Sequence, residues 1–142
     1  MLRSLYPEGL SRHGRHYCRQ DLYGDDPEDL WDVSCELIFE LVRTADFPDR
    51  PSRFQSVFGF ETIAAVDRFA DRFVDEPVTV WEVDAERSFV ADMHLVDAED
   101  FADGVYRARQ YWRGETRRPD PLWEALLVPP VTVIGTVERM TE

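Results

Sequence analysis

The feature that most constrains the fold of this chain is the order in which helix-like and strand-like patterns follow one another. Apolar residues at helical spacing predict about three helices. The first starts at Asp26-Pro27-Glu28 and ends before Phe47, the second covers about 62–73, and the third is capped by Asp97 and ended by Gly114. Alternating or β-branched apolar runs predict strands at 1–6, 53–60, 78–83, 88–95, 122–128 and 131–137.

The segments between these elements are predicted from their polar and proline-rich composition. Residues 7–25 are predicted to form a polar loop. The first helix is predicted to bury one apolar face, formed by Leu30, Val33, Leu37, Ile38 and Leu41.

The order of the predicted elements indicates an α+β fold. Strands follow one another directly at 78–95 and 122–137, so a regular βαβ alternation breaks down toward the end. We therefore expect a mixed or mostly antiparallel sheet with about three helices. A length of 142 residues is typical of one domain, and the prolines are spaced like loops. A single domain over residues 1–142 is predicted.

The charge of the chain limits its partners. There are 29 acidic residues against 16 cations, all of them Arg, and neither Lys nor Asn occurs. This composition is typical of halophile surfaces. A GC-rich genome also favours Arg over Lys, but it does not by itself require a net charge of -13. General binding to nucleic acids or anionic membranes is disfavoured, and no apolar run reaches the roughly 20 residues of a membrane helix.

The cysteines indicate a reduced, cytoplasmic protein. Cys18 and Cys35 occur without a secretory apolar segment at the amino terminus. Together with His13 and His16 they supply enough ligands for zinc, but no C-x-x-C pair is present and Cys35 falls within a helical pattern. No metal site is predicted.

The strong catalytic signatures are missing from the sequence, namely glycine-rich phosphate loops, G-x-S-x-G and H-E-x-x-H. What remains are polar residues inside apolar runs. Asp92 and His94 share a face of a predicted strand, where they form either an acid–base pair or part of a solvated sheet face. The cluster 113–118 is either a phosphate contact or a solvated loop. The other isolated polar positions are Arg3, Ser52, Arg53, Ser56 and Glu124.

Several short motifs resemble a known group of proteins. They are the segment 47–60 around Pro51-Ser52-Arg53-Phe54, then Val80-Trp81-Glu82-Val83, Tyr111-Trp112-Arg113-Gly114 and Pro121-Leu122-Trp123-Glu124. Over roughly residues 47–137 the chain resembles a small uncharacterised prokaryotic family of the DUF2441 type. The layout of that family is similar to the ADP-ribosyltransferase-like fold.

This resemblance implies a site for NAD. ADP-ribosyltransferases surround NAD with a basic residue, a Ser/Thr or Tyr motif and a late acid, each on a strand. The resemblance implies Glu124 as the catalytic acid, because a carboxylate stabilises the oxocarbenium-like ribose that remains after nicotinamide leaves. It implies that NAD is bound by Arg3, Ser52, Arg53, Ser56 and Tyr111.

The resulting function hypothesis is an ADP-ribosyltransferase-like domain that binds NAD and transfers ADP-ribose to a macromolecule, or a relative that has lost this activity. The alternative is a non-enzymatic interaction or assembly protein of a halophile or its virus, with a protein partner. A third class, an RNA-processing phosphotransferase of related fold, requires several basic residues in one cleft. A cleft that joins Arg3, Ser56 and Glu124 favours the enzyme, and their dispersal argues against it.

Overall fold

The computed structural model describes residues 1–18 and 26–138. Within these residues the helices and strands are, in chain order, α1 (Leu2–Leu5), α2 (Arg12–Tyr17), α3 (Pro27–Asp46), β1 (Val57–Gly59), α4 (Ile63–Phe73), β2 (Val80–Ala85), β3 (Ser88–Asp92), α5 (Phe101–Arg113), β4 (Trp123–Leu127) and β5 (Val131–Val137). A 3₁₀ turn, Met93–Leu95, follows β3.

The strands confirm the predicted α+β class. In the described part of the chain every strand pair is antiparallel. One sheet has the order β1-β4-β3, and the other consists of β2 and β5. No helix within the described residues is long and apolar enough to span a membrane.

The two sheets are successive parts of one two-stranded ribbon. β2 leads into β3 and β4 leads into β5, and their pairing keeps nearly the same register from Val80↔Val137 to Asp92↔Trp123. The pairing of the ribbon is interrupted at Pro129-Pro130, where neither residue has a backbone N–H to donate to the opposite strand. The half formed by β3 and β4 lies in the core. The half formed by β2 and β5, here called the arm, extends from it.

The core is formed where α3 and α5 meet the three-stranded sheet. Phe39 of α3, Tyr111 and Trp112 of α5 and Leu126 of β4 are fully buried. The indole Nε1 of Trp112 donates to the carbonyl of Phe39 at 2.8 Å, so the largest core side chain also ties the two helices together.

Several helix boundaries agree with the sequence prediction. Asp26 caps α3 by accepting from the N–H of Glu28, with Pro27 at the first helical position. Gly114 ends α5 with a positive φ of 73°, which favours glycine. The predicted cap of α5 is wrong: Asp100, not Asp97, accepts from the N–H at the third helical position, so the helix starts later.

The prediction for the amino-terminal region is also wrong. Residues 1–6 contain the short helix α1 instead of a strand, because the N–H groups of Ser4 and Leu5 bond back to the carbonyl of Met1. The predicted loop contains α2, which Ser11 caps by accepting from the N–H of Gly14. The loop positions 19–25 lie outside the described residues.

The predicted strand 53–60 is shortened to β1. The N–H groups of Gln55 and Ser56 both bond to the carbonyl of Ser52, which makes 52–56 a tight turn. The predicted strand 88–95 ends at Asp92, whose side chain caps the following 3₁₀ turn.

The buried face of α3 differs from the predicted one. Val33 and Ile38 are buried as expected, whereas the other predicted core positions, Leu30, Leu37 and Leu41, are 48%, 49% and 59% exposed. The helix instead turns Glu36 and Glu40 inward. The helix pattern therefore identified the element correctly but placed its buried stripe on the wrong residues.

Candidate functional site

A cleft of about 920 Å³ lies between α2, α3, the end of α4, the start of α5 and β4. It is the larger of two cavities described below. Its wall contains both acidic and basic side chains, among them Glu36, Arg53, Arg72, Asp92, His94, Asp103, Arg107, Arg117, Arg118 and Glu124.

Arg53 is the centre of a buried cluster in this wall. Its Nε and Nη2 donate to the two carboxylate oxygens of Glu36 at 2.9 and 2.8 Å. Its Nη1 donates to the hydroxyl of Tyr111 at 2.6 Å and to Oε1 of Glu124. The Tyr111 hydroxyl in turn donates to the same Glu124 oxygen at 2.6 Å. The guanidinium also lies 4.8 Å from the ring centre of Phe58, so one cation joins four elements.

The charges in the cluster stabilise one another. Burial alone would raise the pKa of Glu36, but the charge and contacts of Arg53 and His13 together outweigh it and hold the pKa at about 2. Burial alone would lower the pKa of Arg53, but Glu124 and Glu36 raise it well above its ordinary value. Burial and the neighbouring Glu124 raise the pKa of Tyr111. At neutral pH Arg53 is therefore charged and Tyr111 is a hydrogen-bond donor.

His13 of α2 borders the cluster. Its Nε2 lies 3.0 Å from a carboxylate oxygen of Glu36, close enough for an ion pair but without the alignment of a hydrogen bond. Helix α2 is held close by Gly14, because a Cβ at this position would lie 2.0 Å from the carbonyl oxygen of Phe54. The N–H and the hydroxyl of Ser11 donate to the same oxygen.

The turn 52–56 fixes the direction of Arg53. The hydroxyl of Ser52 donates to both carboxylate oxygens of Glu40 at 3.0 and 3.1 Å, and the same carboxylate is held by Arg43. Glu36 and Glu40 are four residues apart and thus lie on one side of α3. The turn is anchored on Glu40, and this places Arg53 against Glu36.

The rim of the cleft carries four further arginines. Arg107 Nε and Arg117 Nη1 both donate to Asp103, at 2.7 and 3.2 Å. Arg72 is exposed at the end of α4, and Arg118 lies 3.8 Å from Asp120. These guanidinium groups surround the opening, but the acids among them balance much of their charge.

Asp92 and His94 face the cleft as a hydrogen-bonded pair. Nδ1 of His94 lies 3.1 Å from Oδ1 of Asp92, and Arg72 Nη1 lies 3.2 Å from Nε2 of the same ring. The two residues do not share a face of a strand, as one sequence interpretation assumed. Asp92 ends β3 and His94 lies in the 3₁₀ turn.

A second pocket of about 440 Å³ adjoins the cleft. His13 and Tyr17 line both cavities, and the second pocket also contains the ring of Phe58. Its polar lining comes from Ser11, Arg12, His16 and Ser56.

The structure brings some of the sequence-predicted site residues together. Arg53, Tyr111 and Glu124 are in direct contact, and Ser52 supports Arg53 through Glu40.

Two predicted site residues lie elsewhere. Ser56 donates to the carbonyl of Ser52 and borders the second pocket. Arg3 lies exposed on α1 and lines neither cavity. Arg3, Ser56 and Glu124 therefore do not meet in one cleft, and this dispersal argues against the set of NAD-binding residues that the resemblance implied.

Sequence reasoning missed Glu36, Glu40, Arg72 and the contact of His13 with the cluster. The sequence did contain a signal for the buried acids. Glu36 and Glu40 are four residues apart, and each lies next to a buried apolar residue of the helix, Cys35 and Phe39. Acids at that spacing inside an apolar stripe indicate a buried partner, because unpaired buried carboxylates are costly. In the described residues no group of three or more His, Cys, Asp and Glu side chains is arranged to hold a metal ion.

One family model matches most of the chain. Residues 19–139 match the family model described as a protein of unknown function (DUF2441). The search of curated proteins found no match.

Proposed function

The chain belongs to the DUF2441 family, and we propose that it is an ADP-ribosyltransferase-like protein that binds NAD in the large cleft. The observation that carries this proposal is the environment of Glu124. This carboxylate is only 6% exposed, is held by Tyr111 and Arg53, and still forms part of the wall of the cleft.

The size and the rim of the cleft suit a dinucleotide. Its volume of about 920 Å³ falls in the range of known ligand pockets, roughly 300–1,000 Å³. Exposed guanidinium groups such as Arg72 and Arg118 are planar forks that match phosphate oxygens. The chain contains no Lys, so the diphosphate of NAD would be bound by the guanidinium groups of Arg.

Glu124 is suited to stabilise the ribose during the reaction. The bond between C1′ of the ribose and the nicotinamide nitrogen breaks, and its electron pair leaves with the ring, which becomes neutral. Positive charge then develops on C1′ and the ring oxygen, and a fixed carboxylate stabilises that charge. Oε1 is held by two donors, whereas no donor among the described residues bonds to Oε2. Oε2 is thus the atom we assign to the ribose.

The cluster assigns different roles to the predicted cofactor-binding residues. Arg53 already donates to Glu36, Tyr111 and Glu124. It would have to give up these bonds to hold a phosphate, so we assign it to positioning Glu124. Tyr111 has the same role, because its raised pKa keeps the hydroxyl protonated. The rim arginines take over the binding role that the sequence comparison gave to Arg3.

The same cluster supports a second candidate, a non-enzymatic interaction protein. Its supporting observation is that Arg53 forms four hydrogen bonds to its neighbours, as it would in a purely structural brace between α3, α5 and β4. The RNA-processing class is less well supported. Several arginines do converge, but Asp92, Asp97, Glu99 and Asp103 line the same cleft and disfavour a polyanion.

NAD binding and nicotinamide release, measured for wild type and Glu124→Gln, distinguish the two candidate functions. We expect calorimetry in molar KCl to detect NAD binding by the wild-type protein, and chromatography to detect nicotinamide release. Glu124→Gln should bind NAD within a few-fold of wild type and release nicotinamide at least about a hundredfold more slowly. The matched control is Glu82→Gln, an exposed acid of the arm that lines neither cavity and should behave like wild type.

The opposite results favour the interaction protein. No heat of NAD binding and no nicotinamide from folded wild-type protein would reject the enzymatic proposal. Circular dichroism of each variant separates loss of activity from loss of folding.

A further inference from the structure

The side chain of Asp92 is held rigidly beneath the surface of the cleft. It is fully buried, and its carboxylate accepts from the hydroxyl of Thr116 at 2.6 Å and from the N–H groups of His94 and Leu122 at 3.1 and 3.2 Å. Because donors from three segments of the chain bond to this carboxylate, it is held in one orientation. It can therefore orient the imidazole that lies on it.

The neighbours of His94 define its tautomer. Asp92 only accepts, so the ring nitrogen 3.1 Å from it, Nδ1, carries the proton. A guanidinium only donates, so the nitrogen 3.2 Å from Arg72, Nε2, carries a lone pair. Two independent contacts thus assign the same neutral form, with the basic nitrogen directed toward Arg72.

Arg72 blocks Nε2 of His94, and a phosphate can draw it away. It is exposed at the end of α4, and it lines the same cleft as His94 and Glu124. A hydrogen bond from a guanidinium to a phosphate is charge-assisted on both sides and stronger than one to a neutral imidazole. A phosphate-bearing ligand at the rim is thus expected to attract Arg72 and uncover Nε2.

We infer that His94, positioned by Asp92, is the proton acceptor for the group that attacks the ribose, and that this group is an O–H, either a hydroxyl or water. This inference rests on the proposed function. The acceptor oxygen forms a bond to C1′ while its proton passes to Nε2 of His94. The C1′–nitrogen bond breaks and its electron pair leaves with nicotinamide. The resulting imidazolium lies against Asp92, whose negative charge stabilises it.

The test measures product formation from NAD, with methanol added as a small hydroxyl acceptor. Methyl ADP-riboside reports an alcohol acceptor and free ADP-ribose reports water. His94→Gln keeps a polar side chain of similar reach but cannot take the proton. We expect both products to form about a hundredfold or more slowly than in wild type, with NAD affinity unchanged.

Rescue by added imidazole distinguishes a proton acceptor from a histidine with only a structural role. Added imidazole should restore a large part of the activity of His94→Ala, because the small base can occupy the vacated space. The matched control is His16→Ala, an exposed histidine that lines only the second pocket, and its rate should neither fall nor respond to imidazole.

The outcomes separate the two proposals. If wild type releases nicotinamide and folded His94→Gln does so at the same rate, the inference about His94 is wrong and the proposed function stands. Failure of imidazole to restore folded His94→Ala also overturns it. If wild type neither binds NAD nor releases nicotinamide, both proposals fall. His94→Gln keeps the test valid if the alanine variant does not fold.

Discussion

Glu36→Gln removes a buried carboxylate that accepts two hydrogen bonds from Arg53. In the folded protein burial would raise the pKa of Glu36, but Arg53 and His13 together lower it from 4.5 to about 2. One pKa unit corresponds to about 1.36 kcal/mol, so the ionised carboxylate contributes about 3 kcal/mol to the free energy of unfolding. Since the folded pKa is the lower one, this contribution is present above pH 4.5 and is lost as the pH falls toward 2.

The assay is urea unfolding followed by tryptophan fluorescence in molar KCl, from neutral pH down to pH 2, for wild type and Glu36→Gln. The difference in free energy of unfolding between the two should be about 3 kcal/mol at neutral pH and should shrink between pH 4.5 and about 2. Glu99→Gln, which changes an exposed acid, should differ from wild type by less than about 0.5 kcal/mol. If the difference in free energy of unfolding between wild type and Glu36→Gln does not change with pH, the assigned charge interaction is refuted.

Two further predictions concern packing and use the same unfolding assay. Gly14→Ala should cost about 1–3 kcal/mol, because its Cβ would meet the backbone oxygen of Phe54 at 2.0 Å, whereas Gly135→Ala has open space and should cost less than about 1 kcal/mol. Equal losses for the two alanines would contradict the close docking of α2. Trp112→Phe should cost about 2–4 kcal/mol, since it opens a cavity and removes the hydrogen bond from the indole Nε1 to the carbonyl of Phe39. Trp81→Phe, at a side chain that is 55% exposed, should cost less than about 1 kcal/mol, and a similar loss there would contradict this assignment.

The elements that local patterns specify could be predicted from the sequence. α3, α4 and α5 have apolar residues at helical spacing, and Asp26 and Gly114 act as start and stop signals within one turn of the helix they bound. β2 and β5 contain several β-branched residues, and β3 and β4 are short, largely apolar runs, so the existence of these strands and the α+β class followed from local patterns.

The parts that depend on distant contacts could not be predicted. The turn 52–56 takes its shape from Ser52 bonding to Glu40, and α2 is held against Phe54 through Gly14. Neither partner is near in sequence. The alternation over 53–60 therefore indicated a longer strand than tertiary structure allows.

The same distinction applies to the candidate site. Arg53 and Glu124 were identified because a polar residue within an apolar run indicates a special environment, and Tyr111 was identified through the resemblance. The contact of Arg53 with Glu36 was not predicted, because the helical pattern of α3 favoured Leu37 and Leu41 as its buried residues, and both are largely exposed. A single sequence does not show that a carboxylate inside the stripe has a guanidinium partner.

The interruption of strand pairing at Pro129-Pro130 divides the ribbon into two parts that can unfold locally on their own. In the described residues the strands of the arm, β2 and β5, pair only with each other, and the side chains of Trp81, Val133 and Ile134 are mostly exposed. An isolated two-stranded ribbon is marginally stable, so the arm can open at low cost in free energy. Because the cleft is lined by no residue of β2 or β5, such opening leaves the cleft intact. Amide hydrogens in the arm should therefore exchange with solvent independently of those around the candidate site.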